Sequence, residues 1–139
     1  MGVRATQTVE GLDDALREFR AARRSAAEGK YAVACMAARQ SAADALEALL
    51  GARGREARGA TLSDLLREMG DLYDVSQIAR AAAELDSCSD YREDLGPSEF
   101  AAARALARAE QVILWVRERL PGPRQPGRAR RLGPRAPTP

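Results

Sequence analysis

Apolar residues recur along the chain at helical spacing. Tyr31, Cys35, Ala38, Ala42, Ala45 and Leu49 advance by alternating steps of four and three, which keeps them on one face of a helix. Leu46 and Leu50 widen that stripe. The same steps return at Ala102, Leu106, Ala109, Ile113, Val116 and Leu120. An earlier segment carries Leu12, Leu16, Phe19 and Ala26, and a fourth carries Val75, Ile78, Ala82 and Leu85. No segment alternates as a strand would. Alanine dominates and β-branched residues are scarce, so local propensity also favours helix as far as Leu120.

Punctuation between the stripes sets the boundaries. Gly29 separates the first helix from the second, and residues 51–59 read as a Gly/Arg loop. Thr61 with Asp64 three residues on is a capping pair for a short helix over 62–69, stopped by Gly70. Asp74 with Gln77 is expected to cap the next helix in the same way. Gly96, Pro97 and Ser98 break the chain before the last helix, and Glu99 suits the positive end of its dipole. The pattern predicts an all-α fold: an antiparallel up-and-down four-helix bundle with one additional short helix. Short loops between long helices imply antiparallel neighbours. The long helices should run to roughly 30 Å. Alanine on the inner faces permits close approach but leaves a thin core, which points to dimerisation as a source of further burial.

Composition narrows the chemistry. The 139 residues include no histidine, which removes Ser-His-Asp and Cys-His relays and any imidazole acid or base. Two cysteines, Cys35 and Cys88, are too few for a zinc ribbon or a disulfide scaffold, and neither a metal nor a cofactor is expected. Cys35 falls on the inner stripe and Cys88 near a helix end, and both read as inert thiols. Of 22 basic residues only Lys30 is a lysine. The net charge of +2 conceals an asymmetry. Residues 121–139 hold Arg124, Arg128, Arg130, Arg131 and Arg135 and no acid, a tail of +5. The remaining 120 residues carry 17 basic and 20 acidic side chains, a net of −3. The expected organisation is a helical bundle over 1–120 followed by a disordered Pro/Gly/Arg tail over 121–139. No apolar run is long enough for a membrane span and no signal-type segment opens the chain, so a cytoplasmic protein away from the membrane is expected.

The residues from Gly29 to Leu50 resemble the second helix of HEPN domains, the higher eukaryote and prokaryote nucleotide-binding family. That helix opens with Gly, a polar residue and Tyr, as in Gly29-Lys30-Tyr31, and runs through a Gln-Ala-Ala-Glu-Lys-like segment into Leu-Leu. Gly59-Ala60-Thr61-Leu62 through Leu66 is similar to the family's Gly-His-(Ser/Asp)-Leu stretch. The closing helix through Trp115 and Leu120 resembles the last HEPN helix, so the likeness spans roughly residues 8 to 120. The departures are informative. Ala60 stands where relatives often carry His, and Ala43 and Asp44 replace Glu and Lys. Asp90-Tyr91-Arg92 takes the place of an Arg-Tyr-Pro turn. Ribonuclease members use an Arg followed four to six residues later by His, which this chain cannot supply. The resemblance implies a noncatalytic helical module, nucleotide- or RNA-associated, forming a homodimer and partnered with a nucleotidyltransferase-like protein of toxin–antitoxin type. A ribonuclease with non-histidine catalysis and a purely structural dimeric adaptor are the alternatives.

Three residues are candidates for ligand contact. Arg92 can fork onto a phosphate and Tyr91 can stack on a base, against the plainer reading of Arg92 paired with Asp90, Glu93 or Asp94. Gln40, beside the inner stripe, could meet a ligand or a second copy, or make hydrogen bonds between helices. Tyr31 and Trp115 read as core. Asp13, Asp14, Asp86, Asp90, Glu93 and Asp94 read as solvated faces. Arg53, Arg55, Arg58 and the tail could screen nucleic-acid phosphates nonspecifically, or serve only as solvated linkers.

Overall fold

Five helices follow one another: α1 (Gly2–Ala27), α2 (Tyr31–Ala52), α3 (Leu62–Met69), α4 (Ala79–Asp86) and α5 (Glu99–Arg119). The structure is a computed structural model. It describes residues 2–57, 61–87 and 96–120, with the backbone alone for 2–10. Cys88, Tyr91, Arg92 and the tail 121–139 lie outside the described residues.

Local chemistry ends and starts the helices. Gly29, at φ +80°, closes α1: the Lys30 N–H donates to the Ser25 carbonyl at 2.9 Å and the Gly29 N–H to Ala26 at 3.1 Å. Only glycine takes that backbone conformation without strain. Gly54, at φ +73°, repeats the motif after α2, with Arg55 N–H on the Leu50 carbonyl at 2.9 Å. The Thr61–Asp64 box forms as the sequence indicates: Asp64 N–H donates to Thr61 Oγ1 at 3.0 Å and Thr61 N–H to Asp64 Oδ2 at 3.3 Å. Ser98 caps α5 by accepting from the Ala101 N–H at 3.1 Å.

The cap expected from Asp74 and Gln77 is not made. Asp74 turns onto the Ser76 N–H at 3.0 Å, which holds its carboxyl below the ordinary range. That short turn competes with capping. α4 therefore begins later, with Ile78 at its N-cap and no side-chain cap.

Side-chain contacts fix the directions. α1 and α2 are joined by residues 28–30 and run antiparallel. Arg53 and Trp115 both meet Tyr73, so the C-terminal ends of α2 and α5 lie together. Arg39 pairs with Asp86, and Arg104 with Glu84, so their N-terminal halves also share one end. α2 and α5 thus run parallel, with α1 opposed to α2. The fourth position of the bundle is filled by α3 and α4 as a short antiparallel pair. Asp86, at the end of α4, reaches the start of α3, accepting from Leu62 N–H at 2.9 Å and Ser63 N–H at 3.0 Å. Here the reading of Asp86 as a solvated carboxylate fails. Its side chain is 19% exposed and joins α2, α3 and α4.

The core is alanine-rich as expected. Ala15, Ala22, Ala38, Ala42 and Ala45 are fully buried beside Leu46, Leu49 and Leu50. Cys35 is buried among them, and Ser41, also buried, returns its hydroxyl to the Ala38 carbonyl at 2.7 Å. Tyr31 packs half-buried against the core. Trp115 is buried, with Tyr73 edge-on at 5.8 Å and the Arg119 guanidinium 4.1 Å above its ring. Among the described residues no helix is long and apolar enough to cross a membrane.

Candidate functional site

A cluster of charged side chains lies between α4 and α5. On α5, Phe100, Arg104, Arg108 and Gln111 step by four, four and three, and so form a single stripe. Glu84 of α4 faces it. Its Oε1 accepts from Arg104 Nε at 2.9 Å and Arg108 Nε at 2.9 Å, and its Oε2 from Arg104 Nη2 at 3.4 Å. Gln111 continues the row, accepting from Arg108 Nη1 at 3.4 Å and donating to the Gln77 carbonyl at 3.1 Å. Two guanidiniums on one carboxylate leave the cluster at +1. Above it opens a groove of about 420 Å³, walled by Leu85, Ser87, Ala101 and Ala105, with Phe100 at 72% exposure.

The hydrogen bonds from Arg104, then those from Arg108, hold the Glu84 carboxyl down to about 2. The same partnership raises Arg104. A carboxyl group whose folded pKa is depressed contributes stability above its unfolded value. That contribution is lost as pH falls through the folded value. The Glu84 contribution is therefore complete above its ordinary 4.5 and vanishes toward about 2. In a carboxyl-carbon NMR titration Glu84 should be the late-titrating glutamate, and Arg104→Ala should move its midpoint upward. A wild-type midpoint near 4.5 would contradict the paired geometry.

The residues singled out from sequence fare differently. Gln40 is exposed on α2 and donates to Asp44 Oδ1 at 2.8 Å, a bond within its own helix, not between helices. The i, i+4 spacing makes Asp44 its nearest acceptor. Asp44 is raised by burial, with a lesser contribution from Asp14, against the lowering effect of the Gln40 bond. Gln40 does not line the groove. Tyr91 and Arg92 fall between Ser87, a groove residue, and Gly96, outside the described residues. Of the loop arginines, Arg53 donates to the Tyr73 hydroxyl at 3.3 Å, and Arg55 pairs with Glu68 and Asp71, both at 3.2 Å. Arg58 lies outside the described residues.

Glu84, Arg104 and Arg108 were not selected by sequence reasoning. The i, i+4 arginine pair on α5 was a usable signal. Glu84 became part of the site only through the packing of α4 against α5. Among the described residues no three His, Cys, Asp or Glu side chains are grouped to hold a metal ion.

Three long helices, a short-helix pair in the fourth position and an arginine-lined groove beside that pair define a small helical-bundle module. The family model of the HEPN domain matches residues 9–119. The chain belongs to the HEPN domain family, which is generally tied to nucleotides and RNA. Solved structures agree. TT1696 from Thermus thermophilus is 31% identical with a TM-score of 0.73, the match covering 82% of this chain and 98% of that one. ST0689, an archaeal HEPN homologue, is 25% identical with a TM-score of 0.71, covering 81% and 97%. An HEPN domain protein from Thermotoga maritima, 24% identical over 78% and 95% with a TM-score of 0.69, shares the fold. No curated protein matches the chain.

Proposed function

We propose that this chain is a noncatalytic HEPN module that associates with a nucleotide or RNA. In this reading it pairs with a second copy of itself and works beside a nucleotidyltransferase-like protein in a toxin–antitoxin arrangement. The observation that carries the binding role is the groove, lined by two arginines and an exposed aromatic ring in a chain without histidine. Guanidiniums fork onto phosphate oxygens and a ring stacks on a base. Neither group moves a proton at neutral pH, so binding is the chemistry these residues support. The partnership is carried over from the family.

Pairing with a second copy is supported by α2. Val33 and Met36 are 53% and 67% exposed, and Gln40 continues their face at the i, i+3, i+7 spacing. Light scattering behind a sizing column should give a dimer at micromolar concentration. Met36→Glu should give a monomer with unchanged helicity. A wild-type monomer would end the dimer reading. Total RNA should survive incubation with the protein. Cleavage that is lost in Arg92→Ala would replace this reading with the ribonuclease alternative.

A further inference from the structure

We propose that the α4–α5 groove is a receptor for a phosphate monoester attached to a base. The chemistry is that of a free nucleoside 5′-monophosphate or the 5′-phosphorylated end of an RNA, with Arg104 and Arg108 on the phosphate and Phe100 against the base. This rests on the nucleotide or RNA association above and names the group recognised.

The donors are already in place. Each guanidinium carries five N–H groups. Arg104 commits two of them to Glu84, and Arg108 commits one to Glu84 and one to Gln111. The rest of both forks is uncommitted among the described residues, and both side chains line the open groove. Phe100 sits one turn before Arg104 on the same stripe, so ring and fork face the same space. Among the described residues the Phe100 ring stands exposed beside the paired arginines, and it offers the face on which a base stacks. Ser87, on the opposite wall, donates its hydroxyl to the Glu84 carbonyl at 2.7 Å and so presents only lone pairs to the groove.

Glu84 decides which phosphate is taken. It is tethered and already oriented on both arginines. A phosphodiester carries one negative charge, no more than the carboxylate, and gains nothing by competing with it. A phosphate monoester carries about −1.5 to −2 at pH 7 and matches the two guanidiniums once Glu84 swings aside. The groove therefore distinguishes a terminal phosphate from the interior of a strand, and Glu84 sets the threshold.

The test uses the full 139-residue chain in calorimetric titrations. The probes are AMP, inorganic phosphate, and one short single-stranded RNA with either a 5′-phosphate or a 5′-hydroxyl. The 5′-phosphorylated RNA should bind about tenfold tighter than its 5′-hydroxyl counterpart, since charge-assisted hydrogen bonds distinguish them. Arg104→Ala should remove that preference. Phe100→Ala should weaken AMP about tenfold and leave inorganic phosphate unchanged. Glu84→Gln should tighten AMP by about threefold, a gain that a purely structural ion pair would not produce. Equal affinities for AMP and the phosphorylated RNA identify the free nucleotide as a sufficient ligand. A tighter RNA identifies the strand end. Both support the receptor. If both RNAs bind alike, and replacing Arg124, Arg128, Arg130, Arg131 and Arg135 by Gln abolishes binding, the tail is responsible. The groove assignment then falls while RNA association stands. If no probe binds, the association itself falls and takes the groove with it.

Discussion

Asp86→Ala should lower the stability of the bundle by about 3 kcal/mol. The carboxylate accepts from the Leu62 and Ser63 N–H groups and from Ser63 Oγ at 3.1 Å, and it lies 3.4 Å from Arg39 Nη2. Bonds to an ionised acceptor contribute about 1.5–3 kcal/mol each. Removing one partner of a buried ion pair costs about 3–5 kcal/mol. Arg39 and Asp86 remain 26% and 19% exposed, so solvent recovers part of that cost. The change should lower the melting temperature by about 10 °C in thermal unfolding followed by circular dichroism. Asp86→Asn, which keeps an acceptor but no charge, should lose roughly half as much. Asp14→Ala removes an exposed pair with Arg17 and should cost less than about 0.5 kcal/mol. Equal losses for Asp86→Ala and Asp14→Ala would show that Asp86 does not hold the short helices to α2.

Gly11→Leu should cost about 2 kcal/mol, although leucine is the better helix former. A Cβ at Gly11 would meet the Ala48 Cβ at 2.9 Å and its Cα at 3.6 Å. Neither atom can rotate away. Replacing glycine within a helix gains about 1 kcal/mol of propensity. Forcing extra carbons into a packed seam loses about 1–3 kcal/mol, and a four-carbon side chain falls toward the upper end. The net sign is therefore destabilising. Ala48→Gly in the same chain should restore part of the loss, with a coupling of about 1 kcal/mol in a double-mutant cycle of urea unfolding. Strict additivity would mean that α1 and α2 do not touch at this point.

Features governed by near neighbours were legible in the sequence. The Thr61–Asp64 box, the glycine at the end of α1 and the inner stripes of α2 and α5 depend on residues within a turn or two. Asp74 was misjudged because two local acceptor geometries compete over the same few residues, and the tighter turn onto Ser76 prevailed. Asp86 and Glu84 were beyond local reading. Their partners are 20 or more residues away, and a carboxylate on a helix looks the same in sequence whether it faces water or an arginine. The parallel course of α2 and α5 was legible: in the predicted up-and-down order the second and fourth main helices share a direction.

The short joint between α1 and α2 has a consequence for the order in which the molecule assembles. Three residues close that hairpin, so little chain entropy opposes it, and its contacts are among the most local in the chain. α5 joins from far along the sequence and brings the groove's two arginines with it. The N-terminal pair can thus form before the groove exists. On the proposed reading of the groove, a bound phosphate meets the finished molecule alone and by mass action favours the docked last helix.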